Sequence, residues 1–184
     1  SLQQLILRAD KAMYQAKKLG KNRFHYFDES LERLAIHRVK IEESLRKAIT
    51  NNEFVLHYQP KIKLSNNTEE LMGFEALIRW KRDDGSITYP DSFITLAEEN
   101  GLIRDLTKWV ITEACRQLKE WRHTKLGDIP ISVNVSAIDI SDGEFVSSTL
   151  SILDKSKTPG HLLELELTES VFFDDISSVN EKLK

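Results

Sequence analysis

Three segments, widely separated along the chain, alternate apolar and polar residues in strand period. In residues 73–80, Phe74, Ala76, Ile78 and Trp80 share one face while Glu75, Leu77 and Arg79 share the other. Residues 131–136 set Ile131, Val133 and Val135 against Ser132, Asn134 and Ser136, and residues 163–169 alternate leucines with Glu164, Glu166 and Thr168. An antiparallel sheet with one face in water would account for any one of them. Long helix-patterned stretches separate them, however, which favours parallel βα units. In a closed parallel barrel the apolar faces pack on outer helices and the polar faces converge inside. A charge there is too costly to leave unpaired, so Glu75 and Arg79 must meet water, a metal or a ligand. Glu75, Asn134 and Glu166 are all oxygen donors, the set that hard cations such as Mg²⁺ or Mn²⁺ prefer. The pattern predicts that they converge on a metal.

Composition narrows the class. The chain has 184 residues, 40% hydrophobic and 30% charged, the balance of a soluble globular domain with some extra. A formal net charge of −3 offers no basic footprint for a DNA or RNA polymer. The apolar runs fall far short of a membrane span, and the first residues do not resemble a signal peptide. Cys115 is the single cysteine, which excludes an intrachain disulfide and fits a reducing cytoplasm. It lies in a predicted helix with no local His, so the expectation is a packed, inert thiol.

The organisation follows from periodicity and breakers. Residues 5–19 read as a helix stopped by Gly20, and residues 23–27 as a short strand. That pair cannot bury its apolar face alone, so residues 1–28 look like the end of a domain whose body is absent. Residues 29–50 read as a connecting helix, with Leu31, Leu34, Ile41, Leu45 and Ala48 near heptad spacing. Residues 51–184 form the main domain. Its predicted strands cover 54–64, 71–80, 131–135 and 163–167. A short helix runs from Pro90 through Ala97. A longer one over 104–122 buries Leu106, Val110, Ala114, Leu118 and Trp121, and Asp142 caps a helix over 144–156. A closed (β/α)₈ barrel takes eight strands and roughly 250 residues. The fold class is therefore α/β, a truncated (β/α)₈ TIM-like barrel with its first four strands.

These residues resemble the EAL family of cyclic di-GMP phosphodiesterases, from about Val39 onward. The resemblance rests on Tyr58-Gln59-Pro60, Glu75-Ala76-Leu77-Ile78-Arg79-Trp80, Asn134-Val135-Ser136-Ala137 and Glu166-Leu167-Thr168-Glu169. The segments Pro90-Asp91-Ser92-Phe93-Ile94 and Ala97-Glu98-Glu99-Asn100-Gly101-Leu102-Ile103 add to it. Residues 9–23 are similar to the tail of a GGDEF diguanylate cyclase domain, whose own signature is missing here.

The resemblance implies hydrolysis of cyclic di-GMP to 5′-pGpG with two Mg²⁺ or Mn²⁺ ions. It implies that Glu75, Asn134 and Glu166 ligate metal and that Glu75 and Glu169 serve catalysis, Glu169 by steadying a metal-site loop. Gln59, Leu77 and Arg79 would contact substrate, Arg79 being suited to phosphate. The family's Asp-Asp pair and catalytic lysine would lie beyond Lys184, so residues 1–184 alone are expected to be inactive. A degenerate EAL domain that only binds cyclic di-GMP, or acts as a regulatory module, is the alternative. The partners implied are cyclic di-GMP and an upstream GGDEF or sensor domain, with a homodimer left open. The location implied is cytoplasmic, with any membrane anchor outside this chain. His57 is expected to be packed, and Glu164 to be an interior or solvated charge without a role.

Overall fold

The structure is a computed structural model that describes residues 1–18, 22–24, 26–27, 29–65 and 68–167. It divides into two compact units, Ser1–Glu43 and Ser44–Lys184. The first holds helix α1 (Leu2–Lys18) and the start of α2 (Glu29–Asn51). Ala16 is buried, whereas Leu2, Leu5, Ile6, Leu7 and Met13 are exposed. Residues 22–24 and 26–27 take no strand conformation, contrary to the reading of 23–27. A strand needs a ladder partner, and the described residues of this unit supply none.

The second unit is built on one sheet with the strand order β1-β2-β4-β5. β1 (Phe54–Ser65) and β2 (Thr68–Lys81) form a long antiparallel hairpin, extended at β2's outer end by the two-residue β3 (Ile87–Thr88). β4 (Ile131–Val135) runs parallel to β2, and β5 (Leu163–Leu167) parallel to β4. Between β3 and β4 lie a 3₁₀ turn (Pro90–Ser92), α3 (Ile94–Glu99) and α4 (Ile103–Trp121). Between β4 and β5 lie α5 (Ala137–Ser141), α6 (Phe145–Ser156) and a second 3₁₀ turn (Gly160–Leu162). The result is a partial (β/α)₈ barrel: parallel strands joined by helices that cover one face.

Side-chain parity explains that coverage. Ile131, Val133 and Val135 are fully buried, as is Trp80, and Ala76 and Ile78 on the same side of β2 are buried as well. α4 packs there with Ile103, Leu106, Val110, Ile111, Ala114, Cys115 and Leu118, a stripe at helical spacing. Trp121, expected in that stripe, is partly exposed and instead stacks against Tyr58 and Phe74, at 5.1 and 5.0 Å between centroids. The hydroxyl of Tyr58 is buried, and burial pushes its pKa up. Cys115 is buried too, and the same desolvation raises its thiol pKa, as fits an inert side chain.

The turns depart from the sequence reading at two points. Asp142 does not open the helix after β4. It ends α5, and its carboxylate accepts from the Glu144 N–H at 3.1 Å, while α6 begins at Phe145. α6 stops before Pro159, where Lys157 turns left-handed (φ 56°) and its N–H bonds to the Leu153 and Asp154 carbonyls. Gly101 (φ +69°) makes the corresponding left-handed step between α3 and α4.

Trp80 anchors the far end of this layer. It is fully buried against Phe54 and Phe93, and its indole N–H donates to Glu53 Oε2 at 3.1 Å. Trp80→Ala should lower unfolding free energy by about 3–5 kcal/mol, the range for emptying a large aromatic site. Urea denaturation checks it, and a loss below about 1 kcal/mol would show that the site collapses around the vacancy.

Candidate functional site

The face of the sheet away from the helices carries the polar set. β1 and β2 pair Gln59 with Glu75 and Lys61 with Gly73; β2 and β4 pair Glu75 with Ser132; β4 and β5 pair Ser132 with Glu164 and Asn134 with Glu166. Gln59, Glu75, Ser132 and Glu164 thus form one cross-strand row. Asn134 and Glu166 begin the next row toward the carboxyl ends of the parallel strands. Glu75, Asn134 and Glu166 share this face, as the alternation predicts.

Two contacts organise the row. The Asn134 amide Nδ2–H donates to Glu75 Oε1 at 2.7 Å, bridging β2 and β4. Lys61 Nζ donates to Glu166 Oε1 at 2.8 Å and to Glu164 Oε2 at 3.0 Å, reaching from β1 to β5. The Lys61 hydrogen bond draws the Glu166 carboxyl below its usual range, against the opposing effect of burial, and the Ser132 hydroxyl adds to it. The Glu166 bond likewise raises the Lys61 pKa. Both carboxylates of the predicted metal set are already hydrogen-bonded, Glu75 to Asn134 and Glu166 to Lys61.

Arg79 lies on the same face, farther toward the carboxyl end of β2. Its Nη1 donates to the Ile78 carbonyl at 2.9 Å, and its guanidinium lies 4.9 Å from the Tyr89 ring centroid. Leu77 is half-buried between Glu75 and Arg79, and Gln59 is exposed. His57, expected to be packed, is exposed as well, because β1's polar side lies on the uncovered face. Glu169 lies outside the described residues. A cavity of about 410 Å³ opens at the carboxyl ends of β2 and β4, lined among others by Leu77, Asn134, Ser136 and Glu98. Burial, and then the nearby Asp139 charge, push the Glu98 carboxyl up.

Among the described residues no three His, Cys, Asp or Glu side chains gather tightly enough to hold a metal ion. The candidate set is two carboxylates and an amide. Its donors are all oxygen, they occupy adjacent strands on one face, and they suit a hard cation in chemistry. The residues fit such an ion in part.

A model of the EAL domain matches residues 42–184. The chain belongs to the EAL domain family. It is 38% identical over 174 residues to the signaling protein YkoW of Bacillus subtilis, covering 95% of this chain and 21% of that protein. It is also 38% identical over 173 residues to MucR of Pseudomonas aeruginosa, a bifunctional diguanylate cyclase/cyclic di-GMP phosphodiesterase, covering 94% and 25%. Among solved structures, the PaMucR phosphodiesterase in its c-di-GMP complex superposes with a TM-score of 0.72 at 35% identity, over 78% of this chain and 57% of that one. The chain thus spans about a quarter or less of those curated relatives and just over half of that structure.

In this EAL domain, the loop that follows Asn134 is held by a group that sequence reasoning passed over. Asp139 is buried, and its Oδ2 accepts from the Ser136 N–H at 3.2 Å, the Ser136 hydroxyl at 2.9 Å and the Thr107 hydroxyl at 2.9 Å. Ser136 and Asp139 form a capping box at the start of α5, which fixes the chain directly after β4, two residues beyond Asn134. The signal was present as Ser136-x-x-Asp139, but α5 is a five-residue helix too short to show a period. Lys61 was missed as well, because its role depends on which strand lies beside β1. Asp139→Ala removes acceptors from two buried or half-buried hydroxyls and a backbone N–H. It should cost about 2–3 kcal/mol in urea denaturation, with Asp139→Asn intermediate; equal stability of Asp139→Ala and wild type would show that the clamp contributes nothing.

Proposed function

We propose that these residues supply the Glu75–Asn134–Glu166 side of a phosphodiesterase centre that hydrolyses cyclic di-GMP to 5′-pGpG with Mg²⁺ or Mn²⁺. The observation that carries the proposal is geometric: the Asn134–Glu75 hydrogen bond and the Asn134–Glu166 pairing bring the family's acidic and amide positions onto one face. The names of relatives, among them the cyclic di-GMP phosphodiesterase PdeR of Escherichia coli, support the reaction class.

Glu75, Asn134 Oδ1 and Glu166 would hold the cation. Divalent ions at such a centre lower the pKa of a bound water and stabilise charge on the phosphate oxygens. Glu75 and Glu166 present carboxylate oxygens from β2 and β5, the strands on either side of Asn134's β4. Asn134 orients Glu75 through its amide, and Ser132 and Lys61 orient Glu166. Arg79, Leu77 and Gln59 line the approach: Arg79 offers a planar, permanently charged fork to a phosphate, and Leu77 and Gln59 an apolar and an amide surface to the nucleotide. Glu169 would steady the loop at the metal site. We read residues 1–28 as the end of a GGDEF domain, a reading the bifunctional name of MucR supports, and assign the activity to the cytoplasm. No helix among the described residues is long and apolar enough to cross a membrane.

Glu75→Ala in the full-length protein should remove turnover of cyclic di-GMP in Mg²⁺ or Mn²⁺. The loss should exceed the roughly 10–100-fold that outer-shell changes cost, and the circular dichroism spectrum should be retained. Wild-type turnover by Glu75→Ala would reject the ligand assignment. Residues 1–184 purified alone should show no turnover, because two-metal hydrolysis needs further shared carboxylates that this set does not contain. Turnover that follows the 1–184 chain through purification would overturn that part.

A further inference from the structure

We propose that Lys61 is a positioning residue that keeps cations off the Glu164–Glu166 pair and so reserves Glu166 for the centre it shares with Glu75 and Asn134. The inference rests on the metal-site reading above and adds a residue which that reading does not need.

The path of the side chain is the first observation. Lys61 sits opposite Gly73 on β2, at a point where the β1–β2 register shifts between Lys61 and Ile62. A Cβ at Gly73 would lie 3.3 Å from Lys61 Cε and 3.2 Å from the Pro130 carbonyl oxygen. The lysine stem therefore crosses β2 over a position without a side chain, and the ammonium ends at β5, two strands farther on. The four-carbon stem gives that reach, and a Cβ at Gly73 would crowd its path by a few tenths of an ångström.

The second observation is where the charge lands. Glu164 and Glu166 are two residues apart on one face of β5, about 7 Å at strand rise. The two carboxylates are partly exposed, and Lys61 Nζ bonds both. Without a cation between them they repel each other, and a hydrated divalent ion is the obvious replacement. Such an ion would pull Glu166 toward Glu164 and away from Asn134. Lys61 supplies the compensating charge in fixed form. Its positive charge lies between Glu164 and Glu166 and offsets part of their mutual repulsion. It engages Oε1 of Glu166 alone, so the carboxylate is oriented without being enclosed.

The test is Mn²⁺ binding to the full-length protein, counted by electron paramagnetic resonance of the free ion and repeated by calorimetry. Lys61→Met should bind one additional Mn²⁺ relative to wild type, and Lys61→Met with Glu164→Gln should return to the wild-type number. Should Lys61→Met not fold, Lys61→Gln keeps most of the stem without the charge and reads the same question. An unchanged number and affinity in the charge-free variant would overturn the proposal. So would an additional ion that persists when Glu164 is also replaced, because it would then sit elsewhere. Glu75→Ala separates this from the parent reading. If Glu75→Ala keeps wild-type Mn²⁺ binding, the metal-site assignment falls; if it loses binding while Lys61→Met changes nothing, only the role of Lys61 falls.

Discussion

The register between β2 and β4 is the constraint on which the site depends. Pairing Phe74 with Ile131, Glu75 with Ser132 and Ala76 with Val133 puts Ala76, Ile78 and Trp80 of β2 and Ile131, Val133 and Val135 of β4 under the helices. A slip of one residue would turn Glu75 into that layer and expose its neighbours, at a cost of several buried side chains and an unpaired charge. The polar face is thus enforced from the other side of the sheet. α4 selects it by burying Ile131, Val133 and Val135, and Glu75 and Asn134 meet because the alternative faces are closed to them.

A second layer of control runs through the loop after β4. Strand ends fray unless their backbone groups find partners, and here Ser136 and Asp139 supply them while Thr107 ties the cluster to α4. The Asn134 side chain therefore stands on a strand whose last turn is anchored to the same helix that buries its other face. A site made of short side chains on rigid elements needs such support to hold its geometry.

How far the sequence revealed this can be judged residue by residue. The common face of Glu75, Asn134 and Glu166 was legible, because period-two alternation is a local property and the burial of one face settles its sense. The parallel order of those strands was legible from the helix-length connections. Lys61 was not. Its function depends on β1 running antiparallel beside β2, on a register shift next to it, and on the absent side chain at Gly73, none of which is local to Lys61. Asp139 escaped because α5 spans five residues, too few for periodicity, and in the strand read over 23–27 the described residues take no strand conformation and find no ladder partner among the described residues. His57 was judged by its residue type, although its parity with Gln59 already placed it on the uncovered face.

The two hydrogen bonds that hold the face together differ in what a cation could do with them. Each is a partly exposed contact worth about 1 kcal/mol or less, small beside the charge attraction of a divalent ion for two carboxylates. Asn134 can exchange its role, since the same amide that donates to Glu75 through Nδ2 carries an oxygen able to ligate. Lys61 cannot, because an ammonium has only donors. Its bond to Glu166 must either survive cation binding or be broken outright. Because it bonds one oxygen of Glu166 and is tethered to Glu164 as well, survival costs the lysine no movement. Asn134 is thus the movable partner of the site, and Lys61 the fixed one.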